Sequence, residues 1–291
     1  MNRHVARIPV ALAVLLTFDA APADAQSCCR KTLLQWSYGT SFEGGPDLEE
    51  PLVTDRPDFT EASVTVGYGV VQLETGYTYT FDDDGSSSTR SHSYPESLLR
   101  VGTLADWFEF RVEWNYAEER VNLFGDSITS NSGAEDLGLG MKFALTPQEC
   151  ILPETALILQ MTVPTGSSAF TADEVLPGFN FLYGWDINDN WSTGASTQLN
   201  RAVDDETGDF YVEFAQSWTV NRSFGEDLVG FAEWYVLAPC SADTNHTEHY
   251  FNGGFSLRLT NDIQWDFRAG VGLNDAADDF FTGTGLSMRF K

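Results

Sequence analysis

The run Val71 to Phe81, VQLETGYTYTF, puts Val71, Leu73, Thr75, Tyr77, Tyr79 and Phe81 on one side of an extended chain. Gln72, Glu74, Gly76, Thr78 and Thr80 fall on the other. Successive side chains of a strand point to opposite faces, so this stretch reads as a strand with one apolar and one polar side. The same alternation returns in Phe108 to Tyr116, Leu137 to Leu145 and Ile263 to Val271. Weaker versions occupy residues 94–104, 155–163, 178–186, 191–200, 210–220, 228–237, 249–259 and 280–290, which brings the expected strand count to about twelve. Most are near the roughly 9 to 11 residues that a tilted strand needs to cross a bilayer. Two have no clear facing: 228–237, where Glu233 shares a side with Phe231 and Tyr235, and 155–163, which is apolar on both sides.

The connections alternate in length. Long ones (82–93, 117–134, 164–177, 201–209, 238–248 and 273–279) take turns with short ones at 105–106, 146–154, 187–190, 221–227 and 260–262. Long outer loops against short periplasmic turns, with an even number of strands, mark an all-β transmembrane antiparallel barrel. Trp107, Trp114, Tyr116, Trp185, Trp191, Phe280 and Phe290 suit interfacial girdles. A soluble β-sandwich also alternates, but it gives no reason for the loop rhythm.

The first residues point to export. Arg3 and Arg7 precede an apolar run from Ile8 to Phe18, and Ala23-Asp24-Ala25 offers a small-x-small cleavage site. Three segments follow: a signal peptide over 1–25, a periplasmic lead-in or partial plug over 26–69, and the barrel over 70–291. That places the mature chain in the outer membrane of a Gram-negative-type bacterium. With 43 acidic against 16 basic side chains, and a net charge of −27, nucleic acid is excluded as a partner. Cys28, Cys29, Cys150 and Cys240 are too few and too scattered for a disulfide scaffold or a zinc site. Any bridge to Cys150, in a periplasmic turn, is expected from Cys28 or Cys29, since Cys240 lies across the membrane.

Several segments, in order, carry a family resemblance: VTDRPDFTE (Val53 to Glu61), VQLETGYTYT (Val71 to Thr80), ESLLRVG (Glu96 to Gly102), AEDLGLGMKF (Ala134 to Phe143), VPTG (Val163 to Gly166) and LTNDIQWDFRAGVGL (Leu259 to Leu273). The chain resembles the outer-membrane family named for the MetA pathway of phenol degradation, whose members are labelled transporters. The resemblance implies a barrel more firmly than it implies phenol.

The expected function is a passive channel for small solutes, with aromatic or other hydrophobic compounds as the implied class. Selectivity is assigned to the polar-face residues Glu74, Arg100, Glu109, Arg111, Glu113, Lys142, Arg258, Asp266 and Arg268. The lead-in, with Asp55, Arg56, Asp58 and Glu61, either folds into the lumen or caps the barrel end, and some insertion is favoured. The acidic runs Asp82 to Asp84, Asp204 to Glu206 and Asp278-Asp279 read as solvated loop tips. The alternative is a structural or surface-interaction barrel whose lumen is filled by its own side chains. An outer-membrane lipid hydrolase is disfavoured: His249, Asn252 and Ser256 share one expected strand and cannot converge on a carbonyl. No catalytic residue, metal or cofactor is expected. Expected partners are membrane lipid and lipopolysaccharide, the barrel-assembly machinery and the solute.

Overall fold

A computed structural model describes residues 32–34, 48–123, 128–204 and 207–291. The expected signal segment, Cys28, Cys29, Asp205 and Glu206 lie outside the described residues. The strands are β1 (Val71–Asp83), β2 (Ser87–Gly102), β3 (Phe108–Leu123), β4 (Ile128–Ala134), β5 (Leu137–Thr146), β6 (Glu154–Val163) and β7 (Leu176–Asn188). They continue with β8 (Trp191–Val203), β9 (Phe210–Phe224), β10 (Leu228–Cys240), β11 (Glu248–Thr260), β12 (Ile263–Gly272) and β13 (Phe280–Phe290). Every pairing is antiparallel, and β13 returns to β1 from Val71↔Phe290 to Phe81↔Phe280, which closes the sheet. β4 and β5 share β3 as partner, at its outer and inner halves, so the thirteen segments make twelve barrel strands.

The burial profile is the reverse of a soluble protein's. Glu74, Arg100, Glu109, Lys142 and Asp266 are 0% exposed, whereas Phe110 and Trp218 are 44% and 46% exposed. The apolar side therefore faces outward all round, as lipid requires, and the polar side lines the lumen. The two ambiguous strands are resolved this way. Glu233 points inward and is buried; on β6, Ile158 faces the lumen while Leu159 and Met161 face out.

Two irregularities shape the wall. β2 shifts register between Tyr94 and Ser97, where Pro95 lacks the N–H that a ladder needs. Between β4 and β5, Glu135 and Asp136 with Leu137 stand against only Trp114 and Asn115 of β3. Asp136 does not line the lumen freely. Its carboxylate accepts backbone N–H bonds from Thr165, Gly166 and Ala172 at 2.9 to 3.0 Å and folds the 164–175 connection against the break.

Three expectations need correction. The 82–93 connection is only Asp84 to Ser86, and much of 117–134 is strand, so β2 and β3 rise past the expected boundaries, β4 lies wholly within an expected connection, and His92 sits in β2. Beyond the hydrocarbon both faces of a strand meet polar surroundings, so the apolar alternation stops while the backbone ladder continues. Asp84 holds that short turn by accepting the Ser86 and Ser87 N–H groups at 2.7 Å, which keeps its carboxyl below the usual range. Asp204 is not a solvated tip. It is buried and accepts the Thr244 N–H and hydroxyl at 3.0 and 2.7 Å, pinning one outer connection to the next. Asp278 is half-buried, because its connection folds inward so that Ala277 packs on Tyr250 and Phe281.

Two outcomes are expected. Phe181→Arg, midway along the outward face of β7, should destabilise the bilayer-inserted barrel by about 2–4 kcal/mol, read by denaturant unfolding. Burial first, then Glu248, Asp82 and Asp279, raises the Asp278 carboxyl from 3.8 to about 6. The packed connection thus holds a proton that the unpacked one releases, so its packing strengthens as pH falls through about 6 and weakens as pH rises. Hydrogen exchange at Gly272 and Ala277 should slow between about pH 7 and about pH 5 after correction for intrinsic rates, and Asp278→Asn should remove that dependence.

Candidate functional site: an occupied lumen

The segment 51–70 carries Pro51, Pro57 and no sustained alternation, so it has no period with which to join the sheet. It runs inside the barrel instead. At the periplasmic rim, Leu52 N–H donates to Asn261 O at 2.8 Å, and Arg289 donates to the carbonyls of Leu48 and Glu50 at 3.0 and 2.8 Å. From there the chain crosses a wall cluster on four neighbouring strands: Glu74 (β1), Arg100 (β2), Glu109 and Arg111 (β3) and Lys142 (β5).

Asp55 is the hub of that cluster. Its carboxylate pairs with Lys142 at 2.8 Å, with Arg100 at 3.3 Å and with Arg111, and it accepts the Ala62 N–H at 3.0 Å. Glu61 adds a pair with Arg111 at 2.8 Å. The wall answers the segment's backbone as well. Glu74 accepts the N–H groups of Asp55 and Arg56, and Glu109 accepts that of Val66 at 2.8 Å. Arg100 donates to Val53 O and Val64 O, and Lys142 to Ala62 O. Three wall cations thus face two wall carboxylates; Asp55, which pairs with all three cations, supplies the missing negative charge, and Glu61 adds a further carboxylate on Arg111. Burying charge is tolerable only when it is paired and hydrogen-bonded, and here the partners come from the inserted segment.

Arg56 turns to the adjoining wall of β2, β1, β13 and β12. It pairs with Glu96 at 2.9 Å and with Asp266 at 3.4 Å. The guanidinium lies in a slot that exists because Gly76 and Gly285 have no side chains: a Cβ there would stand 2.4 and 2.3 Å from it. Glu233 makes the third anchor, accepting the Phe59 and Thr60 N–H groups and the Thr60 hydroxyl, each at 2.7 Å. Asn252 donates to Glu233 at 2.8 Å, and Phe59 stacks on Tyr235 with ring centroids 4.5 Å apart. Arg268 donates to Pro57 O at 3.1 Å and to Thr78 at 3.0 Å, and Asp58 has Glu233 and Arg268 as charged neighbours.

Of the residues singled out by sequence, Glu74, Arg100, Glu109, Arg111, Lys142, Asp266 and Arg268 meet Asp55, Arg56, Asp58 and Glu61 in this network. Two do not behave as expected. Glu113 has a side chain 48% exposed and only flanks Arg111 at 3.7 Å; Arg258 sits at the periplasmic rim, paired with Asp227 at 2.9 Å. Both lie past the ends of the inserted segment's reach. Sequence reasoning did not single out Glu96, Glu233, Asn252 or the glycine slot as site residues. Glu233, a carboxylate among rings on a lipid-crossing strand, was the available signal. On the loop side of Arg111, a cavity of about 300 Å³ remains between Glu113, Trp114, Asp136, Thr162, Phe170 and Leu176.

Asp55→Ala should leave Arg100, Arg111 and Lys142 short of a buried partner and weaken docking of the segment by about 3–5 kcal/mol, without opening the sheet. Faster hydrogen exchange at Ala62 and Val66, with strand amides unchanged, is the expected result.

Comparisons agree with this architecture. An outer membrane channel from Pseudomonas putida F1 superposes with a TM-score of 0.55 at 14% identity, covering 85% of this chain and all 100% of that one. The beta domain of the Bordetella autotransporter BrkA gives 0.51 at 10% identity, covering 76% of this chain and 99% of its own. At such identities the likeness concerns fold alone. A search of curated proteins finds no match. The family described as "Putative MetA-pathway of phenol degradation" matches over residues 54–290, which takes in the inserted segment together with the whole barrel, and the chain belongs to that family.

Proposed function

We propose that the protein is an outer-membrane channel for small solutes, with residues 51–66 as a removable occlusion of its lumen. The family's phenol-pathway description supports aromatic or other hydrophobic compounds as the solute class. One observation carries the reading: the occluding segment adds no strand to the sheet and is held by side chains alone along Asp55 to Val66. Its departure would leave a closed ladder around a polar passage. The chain is exported with residues 1–25 removed, and the lipid-facing barrel is inserted by the assembly machinery.

A permanently closed structural barrel is the second reading, favoured by the complete burial of Glu74, Arg100, Glu109 and Lys142 around the segment. A hydrolase reading gains nothing. His249 stacks outward on Trp234 at 5.9 Å, while Asn252 faces the lumen.

Planar-bilayer recording separates the first two. Protein from the outer membrane, its mass showing loss of 1–25, should give small or rare openings. Asp55→Asn with Glu233→Gln should raise open probability at least several-fold. Silence from both, with folding shown by heat-modifiable gel migration, would favour the closed barrel and reject the channel.

A further inference from the structure

The extracellular half of the outer wall carries an unusual pair. Arg90 of β2 lies directly opposite Arg120 of β3, and Phe81 of β1 lies opposite Arg90 on its other side. Directly opposed residues share a face. Phe81 belongs to the outward side of β1 with Tyr77 and Tyr79, because the alternate residues Glu74 and Thr78 are buried in the lumen. Both arginines therefore project from the outside of the barrel, and both are exposed. The Arg90 guanidinium lies 5.8 Å from the centre of the Phe81 ring. Neither arginine has an ion pair among the described residues.

That placement runs against simple electrostatics. Like charges set directly opposite on neighbouring strands repel. The chain has only 16 basic residues among 43 acidic ones, so partners of opposite sign were available in excess. The height of the pair supplies a reason. The tilted rings of Tyr94 and Tyr116, 5.6 Å apart, form an outward aromatic step on the same two strands. Arg90 and Arg120 stand four residues beyond it, roughly 13 Å along the strands at about 3.3 Å per residue. This is where aromatic girdles give way to lipid headgroups.

We propose that Arg90 and Arg120 bind a phosphate group of lipopolysaccharide in the outer leaflet. Two guanidinium forks on adjacent strands match a phosphate's several acceptor oxygens, and the anion removes their mutual repulsion. The ring of Phe81 flanks the site on the lipid side. A free anion in bulk water is a poorer fit: the surface is open, and the protein's net charge of −27 repels it. A lipid is already held at that height by its acyl chains. The inference rests on the barrel's orientation and not on conduction.

The test is binding of lipopolysaccharide to the purified full chain in detergent, read by native mass spectrometry and by protection against thermal unfolding. Arg90→Ser with Arg120→Ser should weaken binding tenfold or more, each single change should weaken it less, and lysine at both positions should retain part of it. Dephosphorylated lipopolysaccharide should bind the unaltered protein no better than the intact lipid binds the double variant. Arg222→Ser, at the periplasmic end of β9, should change nothing. Heat-modifiable migration establishes that each variant is folded, and the single changes stand in if the double one is not. Equal affinity in folded variants, or equal binding of the dephosphorylated lipid, overturns the proposal. Protection by inorganic phosphate at the same concentration overturns the lipid source.

Discussion

A strand in hydrocarbon has no water to satisfy its edge, so each N–H and C=O must find another strand, and the last strand must find the first. The pairing of β13 with β1 over eleven residues meets that demand, and the rest of the molecule follows from it. Closure forces one side of every strand inward and the other outward. The outward side becomes the one that lipid accepts. The inward side becomes a surface that water, a solute or the protein itself must fill.

Here the protein itself fills it, and the chemistry of filling is electrostatic. A packed apolar core would have fixed the lumen shut with no dependence on a particular segment. Instead the wall offers charges that are answered from residues 55–61, by Asp55 and Glu61 at the β1–β5 cluster and by Arg56 on the adjoining wall. Buried ion pairs are weak evidence for net stability, because desolvation offsets most of their attraction. Their effect is specificity: the segment fits one place, with Arg56 in the Gly76–Gly285 slot and its backbone N–H groups on Glu74, Glu109 and Glu233. An arrangement that is strongly specified and modestly stable suits the removable occlusion proposed for it.

The outside obeys a different rule. Between the girdles charge is costly. The large exposed side chains there are mostly Phe, Trp, Leu, Met and Val, and the outward Thr197 and Gln216 satisfy each other by a hydrogen bond of 2.7 Å. At the ends charge returns, with aromatic rings beside it: Arg222 at Trp191 and Phe224, Arg201 over Phe210, and Arg90 at Phe81. A guanidinium over a ring keeps its charge in the headgroup zone while its stem lies along apolar surface. The directly opposed Arg90 and Arg120 stand out as two cations on one outward face with no ion pair among the described residues.

The sequence by itself determined the barrel. Alternation is local, a property of residues two apart, so Val71 to Phe81 and Ile263 to Val271 declare their two faces without reference to anything distant. It also showed which wall residues are polar, since Glu74, Arg100, Glu109 and Lys142 occupy the lumen phase of their strands. Where polar surroundings replace hydrocarbon the alternation fades, which is why β2 and β3 run past their expected ends and β4 falls within an expected connection. What fills the lumen was decided only by the tertiary structure. The contacts of Asp55 and Arg56 with the barrel wall span 18 to 210 positions of sequence, and no local pattern encodes such a partner. The slot for Arg56 depends on closure, because Gly76 and Gly285 lie on β1 and β13. Closure alone brings β1 beside β13 and puts the opposite walls within reach of one inserted chain.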